Sequence, residues 1–238
     1  MKNKQNTAFI KKEYLAFSKI IKTDCPYEID DFLNDKMVKE NFEGTLKTII
    51  DQHSRIKDKW YSKNGKGIFD LLHMDHFLIL CYRFSNTLYK SGRYEELAKA
   101  IFYSSKIRTS ADIFYRTEIG DYFLPVHPIG TIITPHSTFG KGLRLYEHVL
   151  IGPYSISSKE PEDYEQPTIG EGVIIYGYSK IMGNSKIGDN VVISLGTTII
   201  NKDIPNNSHV MMSNNGRLIL LPNKNNNMNE KFALDDIK

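Results

Sequence analysis

Cysteine is scarce. Cys25 and Cys81 are the only two in 238 residues, and their spacing excludes a disulfide framework or a cysteine-built zinc site. Long apolar runs are missing too: none reaches the ~18 residues needed to span a bilayer. No membrane segment is therefore expected, and with so few cysteines the chain reads as cytoplasmic. Charge of one sign is also lacking. The 31 basic and 28 acidic residues are mixed along the chain and leave a formal net charge of +3, with no basic stripe for a nucleic acid. What is present is a 40% hydrophobic fraction, enough to bury the core of one domain or two small ones. The Asn-dominated stretch from Asn223 to Asn229, with a charged segment after it, predicts a mobile tail.

Two periods divide the chain. Up to about Ser105 the apolar residues recur at helical spacing, as in Ile10, Tyr14, Phe17 and Ile21. Further helices are predicted over Asp30–Lys59, with Asp30 or Asp31 as N-cap, over Phe69–Lys90 before the Ser91-Gly92 stop, and over Glu95–Ser105. After Ile113 the period becomes six. Ile133, Phe139, Leu145 and Ile151 share one register, and Ile169, Ile175, Ile181, Ile187, Ile193 and Ile199 resume it. Neither a helix nor an ordinary strand repeats at six. A triangular solenoid does: one bulky residue per side points inward, and three sides make a coil of about 18 residues that is stable only against its neighbours. Glycines cluster at the expected corners, and Gly170 and Gly188 lie one coil apart. An antiparallel sandwich would instead alternate at period two with irregular turns.

Between Ile151 and Ile169 no residue keeps the register, so this stretch, which holds the acidic segment Glu160–Asp163, must leave the triangle as a loop. Among the histidines, His73 and His76 stand with Asp70 at near-helical spacing, a pattern that more often serves packing than metal binding. His136 and His148 fall on the solenoid, while His53 and His209 belong to no recognisable constellation.

Over about Phe77 to Pro205, and most strongly in segments 168–175, 186–193 and 201–208, the chain resembles the serine acetyltransferase family. That resemblance implies an α+β architecture. Its parts are an α-helical domain (1–107), a left-handed parallel β-helix of hexapeptide repeats (108–210, with a loop at 153–166) and a C-terminal extension (211–238), expected to be partly disordered. Ala111-Asp112-Ile113, Glu118-Ile119-Gly120 and Phe123 to His127 match, without gaps, the stretch that in the family holds a catalytic base and its carboxylate. By resemblance His127 is the base and Asp112 the residue that orients it.

The departures lie in the substrate pocket. The family's aspartate before the base is Val126 here, and its Arg-His pair is Glu165-Gln166; a reversed charge at a carboxylate-binding position repels a free amino acid. For the donor, acetyl-CoA, the resemblance implies a path past Gly177. Leu195, Tyr176 and Tyr178 are bulkier than the family's residues, and Pro153 replaces a glycine and offers no N–H. Lys180, Lys202 and Arg217 are the candidate phosphate contacts.

A base suits this chemistry because a thiolate leaves a thioester readily, whereas a hydroxyl attacks well only as it loses its proton. Neutral imidazole accepts that proton near pH 7, and a carboxylate on its far nitrogen steadies the imidazolium. The expected function is therefore acetyl-CoA-dependent O-acetylation of L-serine or a sugar-type alcohol, without a metal, by a homotrimer or a dimer of trimers. Two alternatives belong to other classes: a non-catalytic repeat scaffold, and a zinc enzyme of the γ-carbonic-anhydrase kind.

Overall fold

The computed structural model of the chain describes residues 2–154 and 164–233. The acidic segment Glu160–Asp163 lies outside the described residues. The N-terminal part is helical as expected: α1 (Lys2–Asp24), α2 (Asp30–Asn34), α3 (Lys36–Ser54), a hairpin of β1 (Ser62–Lys63) and β2 (Lys66–Gly67), α4 (Met74–Lys90) and α5 (Glu95–Thr109).

The single helix expected over Asp30–Lys59 is broken at Asp35, whose carboxylate accepts the Met37 N–H at 2.7 Å and caps α3. The helix expected from Phe69 begins only at Met74, because Asp70 turns the chain by accepting the Leu72 N–H at 2.9 Å. The hairpin turns on Asn64-Gly65, both at positive φ, an Asn-Gly signal the helical periodicity masked. Phe17, Phe42 and Phe84 meet at the centre of the helical part, each fully buried.

The second part is a parallel solenoid of five coils with three faces. One face holds β3 (Asp112–Ile113), β6 (Ile132–Ile133), β9 (Leu150–Gly152), β12 (Lys180–Met182) and β15 (Thr198–Ile200). The next holds β4 (Glu118–Ile119), β7 (Thr138–Phe139), β10 (Thr168–Ile169), β13 (Lys186–Ile187) and β16 (Asp203–Ile204). The third holds β5 (Leu124–Pro125), β8 (Arg144–Leu145), β11 (Ile174–Ile175), β14 (Val192–Ile193) and β17 (Ser208–Met212), with β18 (Leu218–Pro222) antiparallel at its end.

All ten residues of the six-residue register are buried, and the ladder extends beyond them to Ile113 and Ile119 below and to Ile204 and Val210 above. Coils approach so closely at the corners that glycine is required. A Cβ on Gly170 would sit 2.3 Å from Asp189 Oδ1, and one on Gly188 would sit 2.3 Å from Asn206 Oδ1. Those two side chains accept the backbone N–H groups of Glu171 and Asp189, each at 2.8 Å, and so tie coil to coil.

The tail departs from expectation. Asn227 is buried, its amide donates to the Gly172 carbonyl at 2.8 Å, and the amide of Asn223 donates to the Asn190 carbonyl at 3.0 Å. The asparagines thus act as hydrogen-bonding spacers along the solenoid wall. They lead into α6 (Asn227–Lys231) and the buried Phe232, which returns to the helical part beside Ile56. Residues 234–238 lie outside the described residues.

Because each coil is held only by its neighbours, a cavity in a central coil weakens both halves. Ile181→Ala, at a fully buried position, is expected to cost about 2–5 kcal/mol in urea unfolding.

Candidate active site

The inward residues of the first coil are Ile113, Ile119 and Pro125, six apart, but the next is Ile133, so two extra residues enter between β5 and β6. They come out at the corner that carries His127. Pro128 disfavours the right-handed helical conformation for the residue before it, and His127 takes the left-handed one, with φ of +47° and an exposed side chain. The corner is pinned by the Ile129 N–H on the His127 carbonyl (2.8 Å) and the Gly130 N–H on the Ser110 carbonyl (2.9 Å).

Asp112 belongs to the same corner, where its N–H donates to the Thr131 carbonyl at 2.8 Å. Its carboxylate, however, is ion-paired with Lys106 on α5. Among the described residues no hydrogen bond joins Asp112 to His127.

The carboxylate that interacts electrostatically with His127 is that of Asp75, in the first turn of α4 and only 4% exposed. Tyr61 braces it: the phenol oxygen lies 3.1 Å from Asp75 Oδ2 and 3.2 Å from the carbonyl oxygen of Pro125, two residues before His127. Burial pushes the Asp75 carboxyl above its ordinary range, against the opposing pull of His73, the Tyr61 hydroxyl, and the ring and backbone N–H of His127. Burial, together with the neighbouring Asp75, also pushes the Tyr61 phenol upward. An acid in the first turn of a mostly buried helix was the available sequence signal for Asp75; it passes for a helix-dipole residue.

Next to this pair His73 and His76 stack with centroids 4.3 Å apart, and His53 meets His76 at 4.7 Å with its ring tilted by 44°. His53 Nδ1 bonds the Ile68 carbonyl oxygen at 2.7 Å, and the Asp70 N–H meets His76 Nδ1 at 3.2 Å. Asp70 therefore shapes a turn. Among the described residues no group of three or more His, Cys, Asp or Glu side chains is arranged to hold a metal ion. His136 is an exposed corner residue, His148 stacks on Tyr178 at 4.8 Å, and His209 Nε2 bonds the Ser194 hydroxyl at 2.8 Å.

The remaining candidates spread along the solenoid. Val126 packs half-buried against the core. Gln166 Oε1 accepts from the hydroxyls of Thr134 (3.2 Å) and Ser137 (3.4 Å), fastening the chain back to the wall. Glu165 lines an open cavity of about 520 Å³ with Asn184, Lys186, Asn201 and Asp203.

The corner column above His127 leads through Glu147 to Gly177 and Leu195, joined by the Tyr178 N–H on the Glu147 carbonyl (3.0 Å) and the Gly196 N–H on the Gly177 carbonyl (2.9 Å). A Cβ on Gly177 would lie 2.5 Å from Glu147 Oε1, so the Glu147 side chain covers that glycine, a contact the sequence reading missed. Tyr176 stacks on Tyr146 at 4.9 Å. Pro153 follows β9, half-buried. Lys202 and Arg217 share a cleft of about 550 Å³ with Thr198 at the far end of the solenoid, and Lys180 pairs with Thr198 one coil below. At the usual strand spacing the three coil steps from His127 to Leu195, and the further face to Lys202, carry it roughly 16 Å from the His127 level.

The bacterial transferase hexapeptide (six repeats) family matches residues 166–201. Serine acetyltransferase 4 of Arabidopsis thaliana is 31% identical over 146 residues, 61% of this chain and 39% of that protein. The chain is similar to serine acetyltransferases. That of Helicobacter pylori strain 26695 is 23% identical over 164 residues, 69% of this chain and 88% of the bacterial enzyme.

Among solved structures, serine acetyltransferase from Brucella abortus strain S19 superposes with a TM-score of 0.63 at 22% identity, covering 82% of this chain and 77% of that one. A serine acetyltransferase in complex with CoA gives 0.60 at 19%, covering 77% and 74%. The resemblance read from residues 77–205 is borne out, and the fold is the helical domain and left-handed β-helix of these proteins. The chain spans about two fifths of the length of the plant relative.

The clustered buried histidines set a pH dependence. Burial lowers the His53 imidazolium to about 4 and that of His76 to about 3, from 6.5 when unfolded. Their contribution is therefore complete above pH 6.5, and it is lost as pH falls towards 4, because the unfolded chain binds protons that the folded one does not. Each group is expected to remove up to about 1.4 kcal/mol per pH unit in that window. Thermal unfolding between pH 7 and 4 should show the loss, and His53→Gln/His76→Gln should flatten it.

Proposed function

We propose that the chain is an acetyl-CoA-dependent O-acetyltransferase in which His127 is the general base. The observation that carries this reading is the placement of His127. It is the exposed histidine of a two-residue insertion in the first coil, on a scaffold whose relatives are serine acetyltransferases. As the acceptor hydroxyl attacks the thioester carbonyl, His127 takes its proton; when the carbon–sulfur bond breaks, the imidazolium returns a proton to the departing thiolate.

Asp112, on the same corner, is the residue proposed to orient the ring, for which its carboxylate must exchange Lys106 for His127. The donor is proposed to run from His127 along the corner of Glu147, Gly177 and Leu195, past Pro153, towards Lys180, Lys202 and Arg217. Those basic side chains fit phosphate groups as mobile, exposed cations.

The acceptor is a hydroxyl compound, either L-serine or a sugar-type alcohol. Val126 and Gln166 supply no charge to a free amino acid, and Glu165 repels a carboxylate, which favours the sugar-type alcohol. A homotrimer, or a dimer of trimers, working in the cytoplasm and possessing sites between adjacent solenoids completes the proposal.

Thiol release from acetyl-CoA, with serine, homoserine and nucleotide sugars offered in turn, tests it. One acceptor is expected to support turnover, and His127→Ala should lower kcat by about 10²–10⁴-fold while acetyl-CoA still binds. Turnover that survives His127→Ala overturns the base. No acetyl-CoA binding at millimolar ligand by calorimetry leaves a repeat scaffold instead. Light scattering is expected to give the mass of three or six chains, and a monomer speaks against a site shared between solenoids.

A further inference from the structure

The helical part places a buried carboxylate beneath the His127 corner, outside the set of residues that the repeat pattern singles out. Asp75 lies on α4 and Tyr61 precedes β1, both in the helical part, and it is the contact of Tyr61 with the Pro125 carbonyl that crosses to the solenoid. The Tyr61 hydroxyl is shared between Asp75 Oδ2 and the Pro125 carbonyl oxygen, so the last residue of β5 is tied to the carboxylate. From Pro125 the chain runs through half-buried Val126 to His127, whose left-handed backbone is uncommon for a residue with a side chain and has to be held by its surroundings.

We propose that Asp75, braced by Tyr61, is a positioning residue for His127. It holds the left-handed turn through the backbone and sets a negative charge under the ring where positive charge develops during proton transfer. This rests on His127 being the base. It differs from the role proposed for Asp112, which belongs to the corner itself and not to the helical part.

The chemistry of the pair explains why a carboxylate stands there. A buried carboxylate weakens the fold, and the carboxamide of asparagine has nearly the same shape with an acceptor oxygen and no charge. If Asp75 served packing alone, asparagine would be the better residue. A carboxyl group kept at a buried position against a stability cost points to the reaction, where electrostatic support of the imidazolium lowers the barrier.

Three variants of the full chain test this: Asp75→Asn, Asp75→Ala and Tyr61→Phe. Asp75→Asn is expected to lower kcat for acetyl transfer about tenfold or more, to leave KM for acetyl-CoA within about twofold, and to keep or raise the thermal midpoint. Activity and stability then move apart, which a structural role would not produce. Tyr61→Phe should give a smaller fall in kcat of the same kind, and it serves as the readout if Asp75→Ala fails to fold.

Hydrogen exchange at the His127 amide supplies a measure independent of turnover. It is expected to accelerate about tenfold in Asp75→Ala, or in Tyr61→Phe, relative to the corner residue His136. Unchanged kcat in folded Asp75→Asn, or unchanged His127 exchange, overturns the proposal. If the unmodified chain transfers no acetyl group, the enzyme reading fails by itself, and exchange alone decides whether Asp75 holds His127.

Discussion

The interior of the solenoid admits one bulky side chain per face per coil, and the backbone of each coil completes its hydrogen bonds only on the coils above and below. A strand of two or three residues has no stability by itself. Stacked five deep, the strands bury an unbroken ladder from Ile113 to Val210. The constraint is strict because a shift by one residue would turn a buried isoleucine outward and a polar neighbour inward.

Extra residues in such a scaffold have one exit, the corners, since an insertion within a strand would break pairing on both sides. The chain departs from six at three corners: two residues are added between Pro125 and Ile133, twelve between Ile151 and Ile169, and one is removed between Ile199 and Ile204. The first departure brings out His127 and the second ends at Gln166. The wall thus specifies the places where chemistry can be mounted, and the groups mounted there are free to vary without disturbing the ladder.

This separation sets what could be read from sequence. The ladder was legible because burial imposes residue type at a fixed interval, and the corner glycines were legible because coils approach within contact of any Cβ. The break at Asp35 and the turn at Asp70 were missed because each depends on a single side chain capping a backbone N–H, which leaves no periodic trace. The Asn-rich tail was misread for a related reason. Composition marks Asn as polar, but Asn227 matches a specific carbonyl on the wall and is buried there. At the candidate site His127 was identified through its matched segment. Its contact with Asp75 was not, because the two are joined only when α4 folds against β5, and no spacing along the chain encodes that meeting.

The helical part consequently does more than cover the first coil. A cap built for stability alone would present apolar side chains throughout, such as the buried Phe77, Leu78 and Leu80 further along α4. Its first turn carries Asp75 and His76 instead, beside Tyr61, His53 and His73, with one ring nitrogen of each of the three histidines buried and unpartnered. Such groups lower stability by their desolvation. Three such histidine nitrogens gather near the place where Tyr61 meets the strand leading into His127. A group of buried polar side chains at that junction fits the proposed polar site, while the rigid ladder supplies the stability of the fold.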